Sequence, residues 1–298
     1  MAMTALAPAK LNLALAVGPP DGRGMHPICS WMVTISLCDL LFITRLPEDQ
    51  SSRYAIAWHP DAPRPDQIDW PTKSDLAVRA HLAIQEHLGR PLPVHLRLEK
   101  RIPVGGGLGG GSSDAAATLR VVNELFELGL DDDALRGIAA ELGSDVSFFI
   151  GGGSAIVSGF GERIDALDET APVHAVVVFP DAACPTGEVY SVFDRLADDP
   201  SLRADEVRAL ATRPVQPDGV FNDLAAAAIE VVPALAEILR RLAELAERPA
   251  HVAGSGSSLF VLCDDQQHAE DLATLARNRL EVPAAAVRGP QTLSLIQS

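Results

Sequence analysis

KRIPVGGGLGGGSSDAAATL, residues 100–119, decides how the rest of the chain is read. Just before it, Val94-His95-Leu96-Arg97-Leu98 alternates apolar and polar, which predicts a strand with Val94, Leu96 and Leu98 on one face and Pro103 closing it. From Gly105 to Gly111 every residue but Leu108 is glycine; Ser112 and Ser113 follow. An alanine-rich amphipathic run to about Leu128 then predicts a helix closed by Gly129. Strand, glycine loop and helix N-terminus in that order make an anion site. Glycines let peptide N–H groups approach a polyphosphate, and the unpaired N–H groups and dipole of a first helical turn favour negative charge. One of Ser112 and Ser113 is expected to cap the helix, leaving the other hydroxyl for a phosphate or a magnesium ion. The candidate nucleotide site is therefore Pro103, Gly105, Gly106, Gly107, Leu108, Gly109, Gly110, Gly111, Ser112 and Ser113. A flexible linker is the competing reading, but linkers are not bracketed by a sharply alternating strand and a patterned helix. No Gly-Lys-Ser/Thr follows, so the loop is not a Walker A sequence. Residues 105–110 match the dinucleotide fingerprint only because glycine is so dense.

The chain has 298 residues, 47% of them apolar, enough for one large or two medium domains with real cores. A formal charge of −16 leaves no basic stripe for nucleic acid or an anionic membrane. No apolar run has the length of a transmembrane span, and the first residues lack a basic segment followed by a long apolar core. Cys29, Cys38, Cys184 and Cys263 show no metal-ligand spacing and read as reduced thiols of a cytoplasmic protein. Lysine occurs only at Lys10, Lys73 and Lys100 among 24 basic residues. A chain that so prefers arginine, yet sets Lys10 in an apolar strand, points to a need for a compact ammonium there.

Ala7–Val17 alternates so that Leu11, Leu13, Leu15 and Val17 share one face while Lys10, Asn12, Ala14 and Ala16 share the other. Lys10 is either a solvated strand residue or a functional cation beside Asn12. Gly18–Pro27 is a turn-rich loop ending near His26, which is either surface decoration or part of a site. Two strands are expected over Cys29–Leu37 and Leu40–Leu46, joined near Asp39, with a short strand at Tyr54–Trp58. A helix capped by Ser74 should run to Leu88. Asp131–Leu142 predicts a short helix with acids in its first turn. Asp145 follows it, either capping the next turn or acting as a partly buried functional carboxylate. Strands are further expected at Gly151–Gly159, His174–Phe179, Leu259–Cys263 and near Ala285 and Leu293. Helices are expected from Thr186, over Asn222–Arg248 with a break at Pro233, and over Gln266–Leu280.

PVGGGLGGGSSDAA, residues 103–116, resembles the second motif of the kinase superfamily named after galactokinase, homoserine kinase, mevalonate kinase and phosphomevalonate kinase. The form with two glycine triplets is most similar to the branch acting on 4-diphosphocytidyl-2-C-methyl-D-erythritol in non-mevalonate isoprenoid synthesis. Pro8-Ala9-Lys10-Leu11-Asn12-Leu13 matches that branch's first motif, and residues 253–258, AGSGSS, resemble the superfamily's third. The resemblance implies that Lys10 and Asn12 line the acceptor site. It makes Asp145, in the stretch Gly143-Ser144-Asp145-Val146-Ser147-Phe148-Phe149, the catalytic base. His26 would contact a cytosine base, with Met25 standing where the branch has an aromatic. Thr186 and Tyr190 match its Pro-Thr-x-x-x-Phe element, and Asp75-Leu76 takes the place of an Asn-Leu pair at the adenine pocket.

The implied fold is α+β, a two-domain small-molecule kinase with the site in the interdomain cleft, divided here at 1–166 and 167–298. The implied reaction is phosphorylation of an alcohol by ATP with Mg²⁺, on a small-molecule substrate and without nucleic-acid or membrane partners, by a monomer or homodimer. Catalytic residues would be Lys10 and Asp145, and substrate would touch Asn12, His26, Thr186 and Tyr190, with magnesium ligands unassigned. Another small-molecule kinase of the superfamily, or a nucleotide-binding regulator without catalysis, are the alternative readings.

Overall fold

The computed structural model describes residues 1–168, 170–291 and 294–297. The N-terminal run forms a 16-residue strand, β1 (Ala2–Val17), and β2 (Ile28–Arg45) returns antiparallel along it. β2 is one strand where two were expected. Between the pairs Pro8–Cys38 and Ala9–Ile35, Ser36 and Leu37 find no partner, so the strand bulges instead of breaking, and Asp39 stays inside it, fully buried. A second irregularity leaves Leu13 unpaired between Asn12–Met32 and Ala14–Trp31. It resets the alternation. Leu11 and Leu13 enter one core cluster together with Ala14 and Ala16, while Leu15 and Val17 enter the other. The expected single leucine face is therefore split. A one-residue bulge exchanges the two sides of a strand, which periodicity alone does not show.

β3 (Arg53–Trp58) follows, and a single 3₁₀ turn at Thr72–Ser74 leads into α1 (Leu76–Leu88). The cap of α1 is Asp75, whose carboxylate accepts from the Ala77 N–H at 3.0 Å; Ser74 lies in the preceding turn. β4 (Val94–Lys100) buries Val94, Leu96 and Leu98 completely. After the glycine loop comes α2 (Gly110–Leu125), then α3 (Asp132–Ala140), α4 (Val146–Gly151), β5 (Ser154–Gly159) and β6 (Arg163–Ala166). α2 ends before Gly129, because Glu127 already turns the chain with a φ of 51°.

The second half contains β7 (Val173–Val178), α5 (Thr186–Leu196), α6 (Ala204–Ala211), β8 (Phe221–Asn222), α7 (Ala225–Val231) and α8 (Ala234–Ala246). β9 (His251–Val252), β10 (Leu259–Cys263), α9 (Gln266–Leu280), β11 (Ala284–Gly289) and β12 (Ser294–Gln297) complete it. Leu293, near which a strand was expected, lies outside the described residues, and β12 begins just after it.

Among the described residues the first sheet has eight strands, ordered β12-β1-β2-β4-β3, with β5 and β6 continuing from β2 and β8 beside β1. The second is antiparallel, β11-β7-β10-β9, and α9 packs on β7 and β11. α1 and α2 pack together over the first sheet. The fold is α+β, and β8 and β12 of the second half return to β1, so β1 is held by both halves of the chain. That is the strand carrying Lys10.

Candidate active site

The glycine loop crosses from β4 to α2 and is pressed against the second Gly/Ser turn. The Ser258 N–H donates to the Gly106 carbonyl at 3.2 Å, and the Lys10 N–H donates to the Leu108 carbonyl at 2.9 Å. A side chain at Gly107 would place its Cβ 2.0 Å from the Ala253 carbonyl oxygen, so only glycine lets the two loops meet. α2 opens at Gly110 directly from Gly109, whose φ is 72°, and no side chain caps it. Ser112 and Ser113 thus lie inside the first turn rather than at the cap. The positive φ of Gly109 swings the loop straight into the helix, which leaves the N-terminal N–H groups without a side-chain acceptor. No acidic residue stands in that first turn, so the dipole is free to meet an anion.

Loop, strand β1 and helix α5 enclose a cleft of about 900 Å³. Its walls include Lys10, Asn12, His26, Pro103, Gly105, Gly106, Gly107, Leu108, Gly109, Gly110, Gly111, Ser112, Asp145, Thr186 and Tyr190. Ser113, in contrast, is fully buried, and its hydroxyl finds no hydrogen-bond partner. Consecutive helical residues point about 100° apart, and here the turn brings Ser112 to the cleft and Ser113 into the core.

Lys10 is 4% exposed and projects between the two β1 irregularities. Its ammonium donates to Asn12 Oδ1 at 2.6 Å and lies 3.7 Å from Asp145 Oδ2. Asn12 in turn donates to Ser30 Oγ at 2.8 Å, and Ser30 donates to the Ala14 carbonyl at 2.7 Å. This relay fixes the Asn12 carbonyl toward the ammonium. Asp145 sits at the start of α4 without capping it, and its carboxylate remains partly open to the cleft, at 25% exposure. A side chain freed from capping and set beside a lysine has the environment of a reacting group more than of a structural one.

The opposite wall is aromatic. His26 is buried, with Nδ1 3.0 Å from the Gly18 carbonyl and Nε2 3.2 Å from Asp194 Oδ1. Its ring lies 5.0 Å from that of Tyr190 at an interplanar angle of 33°. Burial, reinforced by the charge of Asp145, pushes the Tyr190 phenol up to about 12, so it remains a neutral hydrogen-bond donor across the physiological range. Met25, half exposed, lies at the rim. Thr186 Oγ1 meets Ser255 Oγ at 3.1 Å, joining α5 to the second Gly/Ser turn.

Asp194 was not singled out from sequence. The signal available was its spacing, one helical turn after Tyr190 on the same face of α5. Its contact with His26 spans most of the chain and has no local signature. Trp70 was also missed. It donates to Asp75 Oδ2 at 3.1 Å; both residues line the cleft with Leu76, which lies against Gly111. Among the described residues no group of three or more His, Cys, Asp or Glu side chains is placed to hold a metal ion. No helix there is long and apolar enough to cross a membrane.

The chain matches the model of the GHMP kinases N terminal domain over residues 75–153 and that of the GHMP kinases C terminal region over residues 203–280. A 4-diphosphocytidyl-2-C-methyl-D-erythritol kinase of Caulobacter vibrioides is 38% identical over 92% of this chain and 94% of the relative. One of Thermobifida fusca is 35% identical over 92% and 91%. A crystal structure of 4-(cytidine 5'-diphospho)-2C-methyl-D-erythritol kinase superposes with a TM-score of 0.78 at 34% identity, covering 97% of this chain and all of the other. A homoserine kinase structure from Cytophaga hutchinsonii shares the fold at a TM-score of 0.74 with 16% identity, over 99% of this chain and 97% of that one. The glycine loop on α2, the Lys10–Asp145 pair and these likenesses agree: the chain belongs to the GHMP kinase family, within its branch of 4-diphosphocytidyl-2-C-methyl-D-erythritol kinases.

Proposed function

We propose that the chain transfers the γ-phosphoryl group of ATP to the 2-hydroxyl of 4-diphosphocytidyl-2-C-methyl-D-erythritol. The observation that carries this reading is the Lys10–Asp145 pair at 3.7 Å, set between the glycine loop and the His26–Tyr190 wall. Phosphoryl transfer asks a protein mainly for positioning and charge stabilisation. The N–H groups at the start of α2 receive the triphosphate. Asp145 takes the proton of the acceptor hydroxyl as its oxygen bonds to the γ-phosphorus and the bond to the bridging oxygen breaks, releasing ADP. Lys10, held by Asn12, offers positive charge to the transferring group. His26 and Tyr190 receive the cytosine, and Thr186 the neighbouring polar part of the acceptor.

Magnesium binding of this kind uses one or two protein oxygens plus phosphate oxygens and retained waters. Ser112, in the first turn of α2, fits that donor set and would hold the ion against the phosphates. When bound, it neutralises charge on the phosphate oxygens.

A coupled kinase assay across a panel of alcohols tests the proposal. Turnover is expected with the diphosphocytidyl acceptor, with cytidine diphosphate competing. Turnover on another alcohol, unaffected by cytidine diphosphate at about millimolar concentration, would give the cleft a different acceptor, with Met25 at its rim as the reason. Nucleotide binding with no turnover on any alcohol would make the chain a regulator.

A further inference from the structure

Lys100, the last residue of β4, is 3% exposed. Its ammonium donates to Asp39 Oδ2 at 2.9 Å and to Asp114 Oδ2 at 2.6 Å, and both aspartates are fully buried. Asp39 Oδ1 accepts from the Ile102 N–H at 2.7 Å and also from the Arg101 N–H. Three elements are thereby joined at one buried point: the middle of β2, the exit of β4 and the beginning of α2. The point lies directly behind the nucleotide loop. A Cβ placed on Gly110 would lie 2.9 Å from Ile102 Cγ2 and 3.6 Å from Asp39 Oδ2.

A buried ion cluster is often no better than apolar residues of the same volume, because desolvation offsets the attraction. One carboxylate would have balanced the ammonium; here there are two, and Asp114 Oδ1 has no hydrogen-bond partner. What such a cluster does supply is geometry, since each bond is directional and none can be exchanged for water.

We propose that Asp39, Lys100 and Asp114 are positioning residues for the nucleotide: they clamp the Arg101–Pro103 turn to the first turns of α2, so that the loop's N–H groups are aligned before the triphosphate arrives. The inference rests on the reading of the glycine loop as the triphosphate site. Burial, and then the charge of Asp39, push the Asp114 carboxyl well above its ordinary value, against the pull of Lys100. Burial alone would depress the Lys100 ammonium, but Asp114 and Asp39 outweigh it and hold the group raised and charged.

Calorimetry with a non-hydrolysable ATP analogue and Mg²⁺, and separately with cytidine diphosphate, tests this on the full chain. Asp114→Ala removes the tie to α2 and should weaken the ATP analogue about tenfold or more while changing cytidine diphosphate affinity less than about twofold. Asp114→Asn keeps an acceptor for Lys100 and should bind the analogue within about twofold of wild type. Equal weakening of both ligands would make the cluster merely structural, and an Asp114→Ala protein binding the analogue like wild type would overturn the inference directly. A wild-type protein that binds cytidine diphosphate but not the analogue would instead remove the nucleotide site itself. A measurement needing no variant stands beside these. Prealignment requires the Arg101 and Ile102 amides to exchange with solvent as slowly as those of Leu96 and Leu98 in the unliganded protein; fast exchange there would overturn it.

Discussion

Two buried lysines in this protein are paired with aspartates, and the pairs are built differently. Lys100 meets two carboxylates at 2.9 and 2.6 Å, each without solvent exposure. Lys10 meets one at 3.7 Å, and that carboxylate is a quarter exposed. The closer cluster spends its ammonium on two buried carboxylates, although Lys100 also borders the cleft. In the looser pair the ammonium has one short bond, to Asn12, and both charged groups line the cleft. Tight mutual satisfaction marks a residue that holds structure in place, and incomplete satisfaction beside an open volume marks one that awaits a substrate.

The sharpest break of that comparison is Asp145→Asn. Turnover should fall by roughly 10²–10⁴ while nucleotide affinity changes little. A variant retaining more than about a third of wild-type turnover would remove Asp145 from the base role and leave the two pairs alike. The unfolding free energy should stay within about 1 kcal/mol of wild type, because the carboxylate is partly solvated.

Lys100→Met should do the reverse. It leaves Asp39 and Asp114 buried without a cation, a loss of about 3–5 kcal/mol in urea unfolding. A loss below about 1 kcal/mol would show that water enters the cluster and that it is not the closed counterpart of the Lys10 site.

Tyr190→Ala tests whether the open side is organised around a base. Cytidine diphosphate binding should weaken by on the order of 1–3 kcal/mol in calorimetry, the range for losing an aromatic stacking partner. Unchanged binding would leave the cleft with chemistry but no cytosine recognition.

The smallest effect concerns pH. The Asp114 carboxyl is raised in the folded protein above its ordinary value of 3.8. Such a group favours folding most strongly below that ordinary value, and the contribution is lost as pH rises through the folded-state value. Asn at this position is neutral throughout. Asp114→Asn should therefore gain stability relative to wild type as pH rises from about 4 toward 8, read as a growing difference in urea midpoints. A difference that stays flat would mean that the folded protein does not raise the Asp114 carboxyl.

Much of the molecule was legible from local pattern. The alternation of β4, the glycine run, the amphipathic helices and the strand at Val173–Val178 each carry their signal within a few residues, because side-chain periodicity and glycine's conformational freedom act locally. The family motifs assigned Lys10 and Asp145 to one site, and the two side chains lie 3.7 Å apart. Tertiary structure alone decided other matters. The bulge at Leu13 split the leucine face of β1 between two clusters, and β2 ran unbroken past Asp39. Asp75, not Ser74, caps α1, and Gly109 leads into α2 with no side-chain cap. Asp194 reached His26 and Asp39 reached Lys100 across long stretches of chain. The physical reason is common to these cases. A bulge, a cap or a buried ion pair depends on which distant backbone arrives beside it, and a single sequence records the residue types that could answer such a neighbour without recording which neighbour comes.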